Sequence, residues 1–89
     1  MISEHEKQTI ISLADRYRVK KILLFGSSAA PEKEGRDIDL AVDGIRARDF
    51  FRFYGDLLFG LKRPVDLIDL SSDSKFNNLI RQEGTPIYG

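Results

Sequence analysis

Residues 23–42 read LLFGSSAAPEKEGRDIDLAV, and how this stretch is read decides the fold. An apolar run, Lys21 to Phe25, ends at Gly26. Two serines and a polar loop carrying Pro31 and Gly35 follow, and a second apolar run opens with Asp37-Ile38-Asp39. Short apolar runs bounded by Gly, Pro and Ser read as strands. In the second strand, Asp37 to Val42, the two-residue period turns Ile38, Leu40 and Val42 to one face. Asp37, Asp39 and Ala41 turn to the other. A carboxylate inside a strand is costly unless something partners it, so the pair raises the question of what that partner is.

Working outward, Ser3 to Arg18 reads as a helix. Ser3 and Glu6 have capping-box spacing, and Ile10, Leu13, Ala14 and Tyr17 recur at helical spacing. Downstream, Ala47 to Leu61 reads as a helix whose broad apolar face is formed by Phe50, Phe51, Tyr54, Leu57, Leu58 and Leu61. Gly60 and Pro64 bracket its end. Val65 to Leu70 is a third strand. Ser72 to Glu83 is a last helix with Phe76, Leu79 and Ile80 inward and Gly84 as its stop. Pro86 to Tyr88 is a candidate for a short closing strand. The order α-β-β-α-β-α, with or without that strand, predicts an α/β (α+β) fold: one small mixed sheet with helices packed on it. At 89 residues the chain is expected to form one domain, 1–89.

Composition narrows the function. The 14 basic and 14 acidic residues cancel, which argues against nonspecific nucleic-acid binding, since that needs a basic excess. Without cysteine there can be no disulfide and no thiolate metal site, and a cytoplasmic setting is expected. No apolar stretch approaches the ~20 residues that span a bilayer, and the polar start MISEHEKQ lacks a signal-peptide core.

Asp37 and Asp39, about 7 Å apart along one strand face, can converge on a hard cation such as magnesium, which prefers oxygen ligands. Asp66, in PVDLIDL, completes a three-carboxylate cluster if its strand pairs beside theirs. Such a cluster repels itself until metal neutralises it. Asp69 lies three residues on and points to the opposite face, so it reads as a strand-end residue. Gly26-Ser27 directly after a strand allows close ligand approach and offers donors to phosphate oxygens. The plain alternatives are a solvated edge for the D-x-D pair, a surface carboxylate for Asp66 and an ordinary turn for Gly-Ser. The combination, in strand–Gly-Ser–strand–helix–strand order, favours a site. His5, the one histidine, reads as solvated. The arginines at 46, 48, 52 and 63 read with Lys62 as a solvated face. The cluster of Phe50, Phe51, Phe53, Tyr54 and Phe59 exceeds one helix face. Its surplus is a candidate contact for a partner or, in a homodimer, a second copy.

The pattern LLFGSS…RDIDLAV…PVDLIDL, with the ending IRQEGTPIYG, resembles the minimal nucleotidyltransferase family of the DNA polymerase β-like superfamily over nearly the whole chain. The resemblance implies a polymerase β-like nucleotidyltransferase fold that uses ATP and Mg2+ and transfers a nucleoside monophosphate, AMP, to an acceptor hydroxyl. It implies that Asp37, Asp39 and Asp66 hold two metal ions, with Asp66 nearest the acceptor, and that Gly26 and Ser27 bind the triphosphate. Two ions roughly 3.5–4 Å apart suit an in-line displacement. Members are often antitoxins paired with HEPN-domain ribonuclease toxins, and some add AMP to a tyrosine of that toxin, so a HEPN-domain partner is implied too. The sequence departs from the G-S-R-A-R-G pattern of many members, carrying Ser28, Ala29, Ala30 and Pro31, with Arg36 before the first aspartate and Lys33 as another nearby cation. Two readings therefore stand: a nucleotidyltransferase, or a catalytically inactive module that neutralises its partner by contact. A metal-dependent nuclease ranks below both, since no histidine accompanies the acids and no basic excess is present.

Overall fold

The computed structural model describes residues 2–26 and 37–89. Helix α1 spans Glu4–Arg16, strand β1 Lys21–Leu24, strand β2 Ile38–Asp43, helix α2 Ala47–Gly60, strand β3 Val65–Asp69, helix α3 Lys75–Glu83 and strand β4 Thr85–Tyr88. The expected order holds, and the candidate closing strand is a real one. The strands form one sheet in the order β3-β2-β1-β4. β1 runs antiparallel to β2 and to β4, whereas β2 and β3 are parallel. A parallel pair needs a crossover, and α2 supplies it.

Capping starts α1 where the sequence signals it. Ser3 Oγ accepts the Glu6 N–H (3.1 Å), and the Glu6 carboxylate accepts the Ser3 N–H (2.8 Å). Glu6 also forms a two-pronged ion pair with Arg63, whose Nε and second guanidinium nitrogen lie 2.9 and 3.0 Å from its oxygens. This pins the start of α1 to the turn before β3. α1 ends two residues earlier than expected, and Arg18 takes a left-handed φ of 54° as the chain turns into β1.

The alternation of β2 sorts the sheet into two unlike faces. Ile38, Leu40 and Val42 join Ile22, Leu24, Val65 and Leu67 under Ile10, Leu13 and Ala14 of α1 and Phe53 and Leu57 of α2, forming the main core. The opposite face carries a smaller cluster of Leu23, Ala41, Leu70 and Ile80, flanked by Phe25 and Ile68, and α3 covers it. Tyr54 ties α2 to the sheet by donating to the Val65 carbonyl at 2.7 Å.

Two helix faces differ from expectation. In α2 the buried stripe is Phe53 and Leu57, continued by Leu61 and flanked by half-buried Phe50 and Tyr54. Phe51 and Leu58, expected on that stripe, are 78% and 48% exposed, and Phe59 is 96% exposed. In α3 Ile80 is buried as expected, but its inward neighbour is Asn77, whereas Phe76 and Leu79 are 54% and 49% exposed. α3 also begins at Lys75, not Ser72. Ser74 is its N-cap, accepting the Asn77 N–H at 3.0 Å. Ser72 is held outside by the buried Asn77 amide, which donates to the Ser72 carbonyl and Oγ and to the Asp69 carbonyl. Among the described residues no helix is long and apolar enough to cross a membrane.

Candidate functional site

The site follows from one register. The parallel pairing of β2 with β3 sets Asp39 directly beside Asp66. Residues paired across a parallel ladder share a face, with strands about 4.8 Å apart. Both carboxylates therefore stand on the α3 side of the sheet, one row beyond the apolar row of Leu23, Ala41 and Ile68. Asp39 is half-buried and Asp66 exposed, so the acids sit where the cover of α3 gives out.

On the other side of β2 the chain leaves β1. Phe25 donates its N–H to the Asp39 carbonyl at 3.1 Å, which sets Gly26 against the Asp39 side chain. Gly26 has φ +62°, and a Cβ placed there would lie 2.6 Å from Asp39 Oδ2. Only glycine gives both that backbone turn and that clearance. Gly26, Asp39 and Asp66 are thus brought together as expected from sequence.

Asp37 lies one residue before β2 and is exposed; the expected strand start there is corrected by one residue. Among the described residues no three histidine, aspartate or glutamate side chains gather closely enough to hold a metal ion. The register therefore assembles two carboxylates, and the expected trio is not closed. The donor set is all oxygen and suits a hard cation, and the absence of a Cβ at Gly26 leaves the Asp39 carboxylate its place against the backbone. Ser27, expected to bind phosphate, lies outside the described residues, as do Lys33 and Arg36. Asp69 ends β3 and spends its carboxylate on the Ser71 N–H at 2.9 Å, which fits its reading as a strand-end residue. His5 is exposed, as expected.

A feature that pattern reading missed lies next to Gly26. Phe25, Gly26, Phe76, Leu79, Ile80 and Glu83 line a groove of about 380 Å³. The signal was present in the α3 sequence as two apolar residues, Phe76 and Leu79, on the stripe beside the buried one.

The family model described as polymerase beta, nucleotidyltransferase, matches residues 8–89. Similar solved structures come from toxin–antitoxin systems. A chain of a toxin–antitoxin structure with AMP-PNP is 27% identical with TM-score 0.76, covering 93% of this chain and 73% of that one. A chain of the MntA–HepT toxin–antitoxin is 25% identical with TM-score 0.73, covering 98% and 73%. A mutant of that toxin–antitoxin gives 25% identity and TM-score 0.74, covering 93% and 72%. A search of curated proteins finds no match. With the match running through α1, the Gly26 turn, both aspartate strands and the closing strand, the chain belongs to the polymerase β nucleotidyltransferase family.

Proposed function

We propose that this domain is the nucleotidyltransferase of a toxin–antitoxin pair, transferring AMP from ATP to a hydroxyl, a tyrosine of its HEPN-type partner. The observation that carries the reading is the register of Asp39 beside Asp66, with Gly26 against the Asp39 carboxylate. The likeness to toxin–antitoxin chains, one of them in a structure with AMP-PNP, supports the nucleotide and the partner.

Asp39, Asp66 and Asp37 would hold magnesium. Bound there, the metal supplies charge stabilisation for the attacking and leaving oxygens of the displacement. The chain's own residues do the positioning on which phosphoryl-type transfer depends. Gly26 lets the triphosphate approach the backbone beside Asp39. Asp66, on the outer side of the pair, orients the acceptor hydroxyl and takes its proton. The new bond joins the acceptor oxygen to the α-phosphorus, the bond from that phosphorus to the bridging oxygen breaks, and pyrophosphate leaves. The apolar side chains exposed on α2, Phe51, Leu58 and Phe59, give a protein partner surface to cover.

The test is transfer of label from α-labelled ATP to the co-purified partner. Labelling is expected with the native chain and lost in Asp39→Asn. Undiminished labelling in the Asp37→Asn/Asp39→Asn double variant would remove the proposed site. The second reading, an inactive module acting by contact, rests on Ser28 to Pro31 standing where many relatives carry arginines. It wins if substituting Asp37, Asp39 and Asp66 together leaves toxin neutralisation unchanged.

A further inference from the structure

We infer that the groove between the end of β1 and the outer face of α3 seats the nucleobase of the nucleotide, with Phe76 as the stacking platform. The inference rests on the nucleotidyltransferase reading and assigns the base end of a site whose phosphate end lies at Gly26.

Three observations carry it. First, α3 leaves Phe76 and Leu79 54% and 49% exposed, while Asn77 takes the inward place with its amide hydrogen-bonded to Asp69 and Ser72. Apolar side chains left open together beside a polar site mark a place where a ligand or partner covers them. Second, these two side chains do not face open solvent as isolated residues. With Phe25, Ile80, Glu83 and Gly26 they line one groove of about 380 Å³, within the roughly 300–1,000 Å³ of small-molecule sites. Phe25 meets Phe76 edge to face, with ring centroids 6.3 Å apart and planes at 87°, which fixes the Phe76 ring while leaving more than half of the residue exposed. Third, the groove and the carboxylate site share Gly26, the residue whose missing Cβ clears Asp39 Oδ2. A ligand with phosphates beside Asp39 and a flat apolar ring attached is the one whose two ends meet both parts.

The other exposed aromatics do not compete. Phe51 and Phe59 lie on α2, which packs on the opposite sheet face. The cavities lined by Arg16, Arg18, Arg46, Arg48 and Arg52 also carry Asp49, and neither contains Gly26, Asp39 or Asp66.

The test compares two ligands that differ only in having a nucleoside. AMP-PNP and inorganic tripolyphosphate, each with Mg2+, are titrated calorimetrically into the native chain, Phe76→Ala and Phe76→Trp. Aromatic stacking on a base is strong enough that Phe76→Ala is expected to weaken AMP-PNP roughly tenfold. Tripolyphosphate affinity should stay within about twofold, and Phe76→Trp should keep AMP-PNP binding. Unchanged AMP-PNP affinity in Phe76→Ala overturns the inference while leaving the nucleotidyltransferase reading intact, and a simultaneous loss of partner binding would reassign the groove to the partner. Equal loss of both ligands also overturns it, as a structural effect. A native chain that binds neither ligand removes the nucleotidyltransferase reading itself, and the inference with it.

Discussion

Gly26→Ala tests the join between fold and site, because its cost divides into two parts with separate causes. The first is backbone. A non-glycine residue at φ +62° costs roughly 1–2 kcal/mol relative to glycine. The second is steric. The new Cβ would stand 2.6 Å from Asp39 Oδ2, a separation that cannot persist. The obstacle is the end of a short side chain, so Asp39 yields by leaving its rotamer at a cost of about 0.5–1.5 kcal/mol. Together they predict a loss of roughly 1.5–3.5 kcal/mol. At about 4–8 °C per kcal/mol for a domain of this size, Tm should fall by roughly 6–28 °C. Urea unfolding of native, Gly26→Ala, Asp39→Ala and the double variant separates the parts. With Asp39 shortened, the clash vanishes and the backbone cost remains, so Gly26→Ala should cost about 0.5–1.5 kcal/mol less in the Asp39→Ala background. An equal cost in both backgrounds refutes the contact. A cost under about 0.5 kcal/mol in the native background refutes the backbone conformation as well.

Gly55, inside α2, is the counterpart: a Cβ there meets nothing within 4 Å, so Gly55→Ala should stabilise by about 0.5–1 kcal/mol in the same unfolding assay. Glu6 is subject to opposing influences; burial raises its pKa, but the Ser3 N–H and the Arg63 guanidinium outweigh it and hold the carboxyl below its ordinary range. A depressed carboxylate stabilises above the unfolded pKa of about 4.3. The advantage of the native chain over Glu6→Gln should therefore be full near neutral pH and disappear as pH falls through the folded pKa; an advantage that persists at pH 2 refutes it. Asn77→Ala should cost about 1–3 kcal/mol by stranding the acceptors its amide serves between Asp69 and Ser72, read by chemical denaturation. Phe53→Ala, at a fully buried ring, should cost roughly 3–5 kcal/mol, whereas Phe59→Ala should change stability by less than about 0.5 kcal/mol.

Local signals were legible in the chain to the degree that chemistry fixed them nearby. Ser3 and Glu6 form the capping box their spacing announces, and the alternation of Ile38 to Val42 divides the two cores as written. Helix rotation was harder. Phe50, Phe53, Tyr54, Leu57 and Leu61 make a strict i, i+3, i+4, i+7, i+11 stripe, but Phe51 and Leu58 sit beside it, and apolar residues on two adjoining stripes leave the buried one open. In α3 a polar residue, Asn77, took the inward place because its amide had three acceptors to satisfy. Nothing in local periodicity reports such partners. The pairing of Asp66 beside Asp39 depended on which strand neighbours β2, a tertiary choice, and the distance from Asp37 to that pair depends on backbone just outside β2.

The layout of the second sheet face gives a physical reason for the acids to be where they are. α3 is nine residues long and covers the row of Leu23, Ala41 and Ile68, while the next row is Asp39 and Asp66 with Phe25 beside them. Two adjacent carboxylates under a longer α3 would lose their water and repel each other, at a cost no carboxylate repays without a cation. Left at the margin of the cover, Asp66 stays solvated and Asp39 is half-buried, so the fold tolerates the pair before any ligand arrives. The same shortness exposes Phe76 and Leu79 next to Gly26. An α3 rotated to bury them would close the groove and turn Asn77 away from the acceptors that hold the β3–α3 turn. The arrangement thus keeps a charged row and an apolar groove open side by side, with the turn that positions α3 secured by a buried amide instead of by more apolar cover. Loosening that turn through Asn77→Ala should therefore disturb AMP-PNP binding before it disturbs the main core around Phe53. Loss of core order at the same denaturant concentration as loss of AMP-PNP binding would contradict this separation.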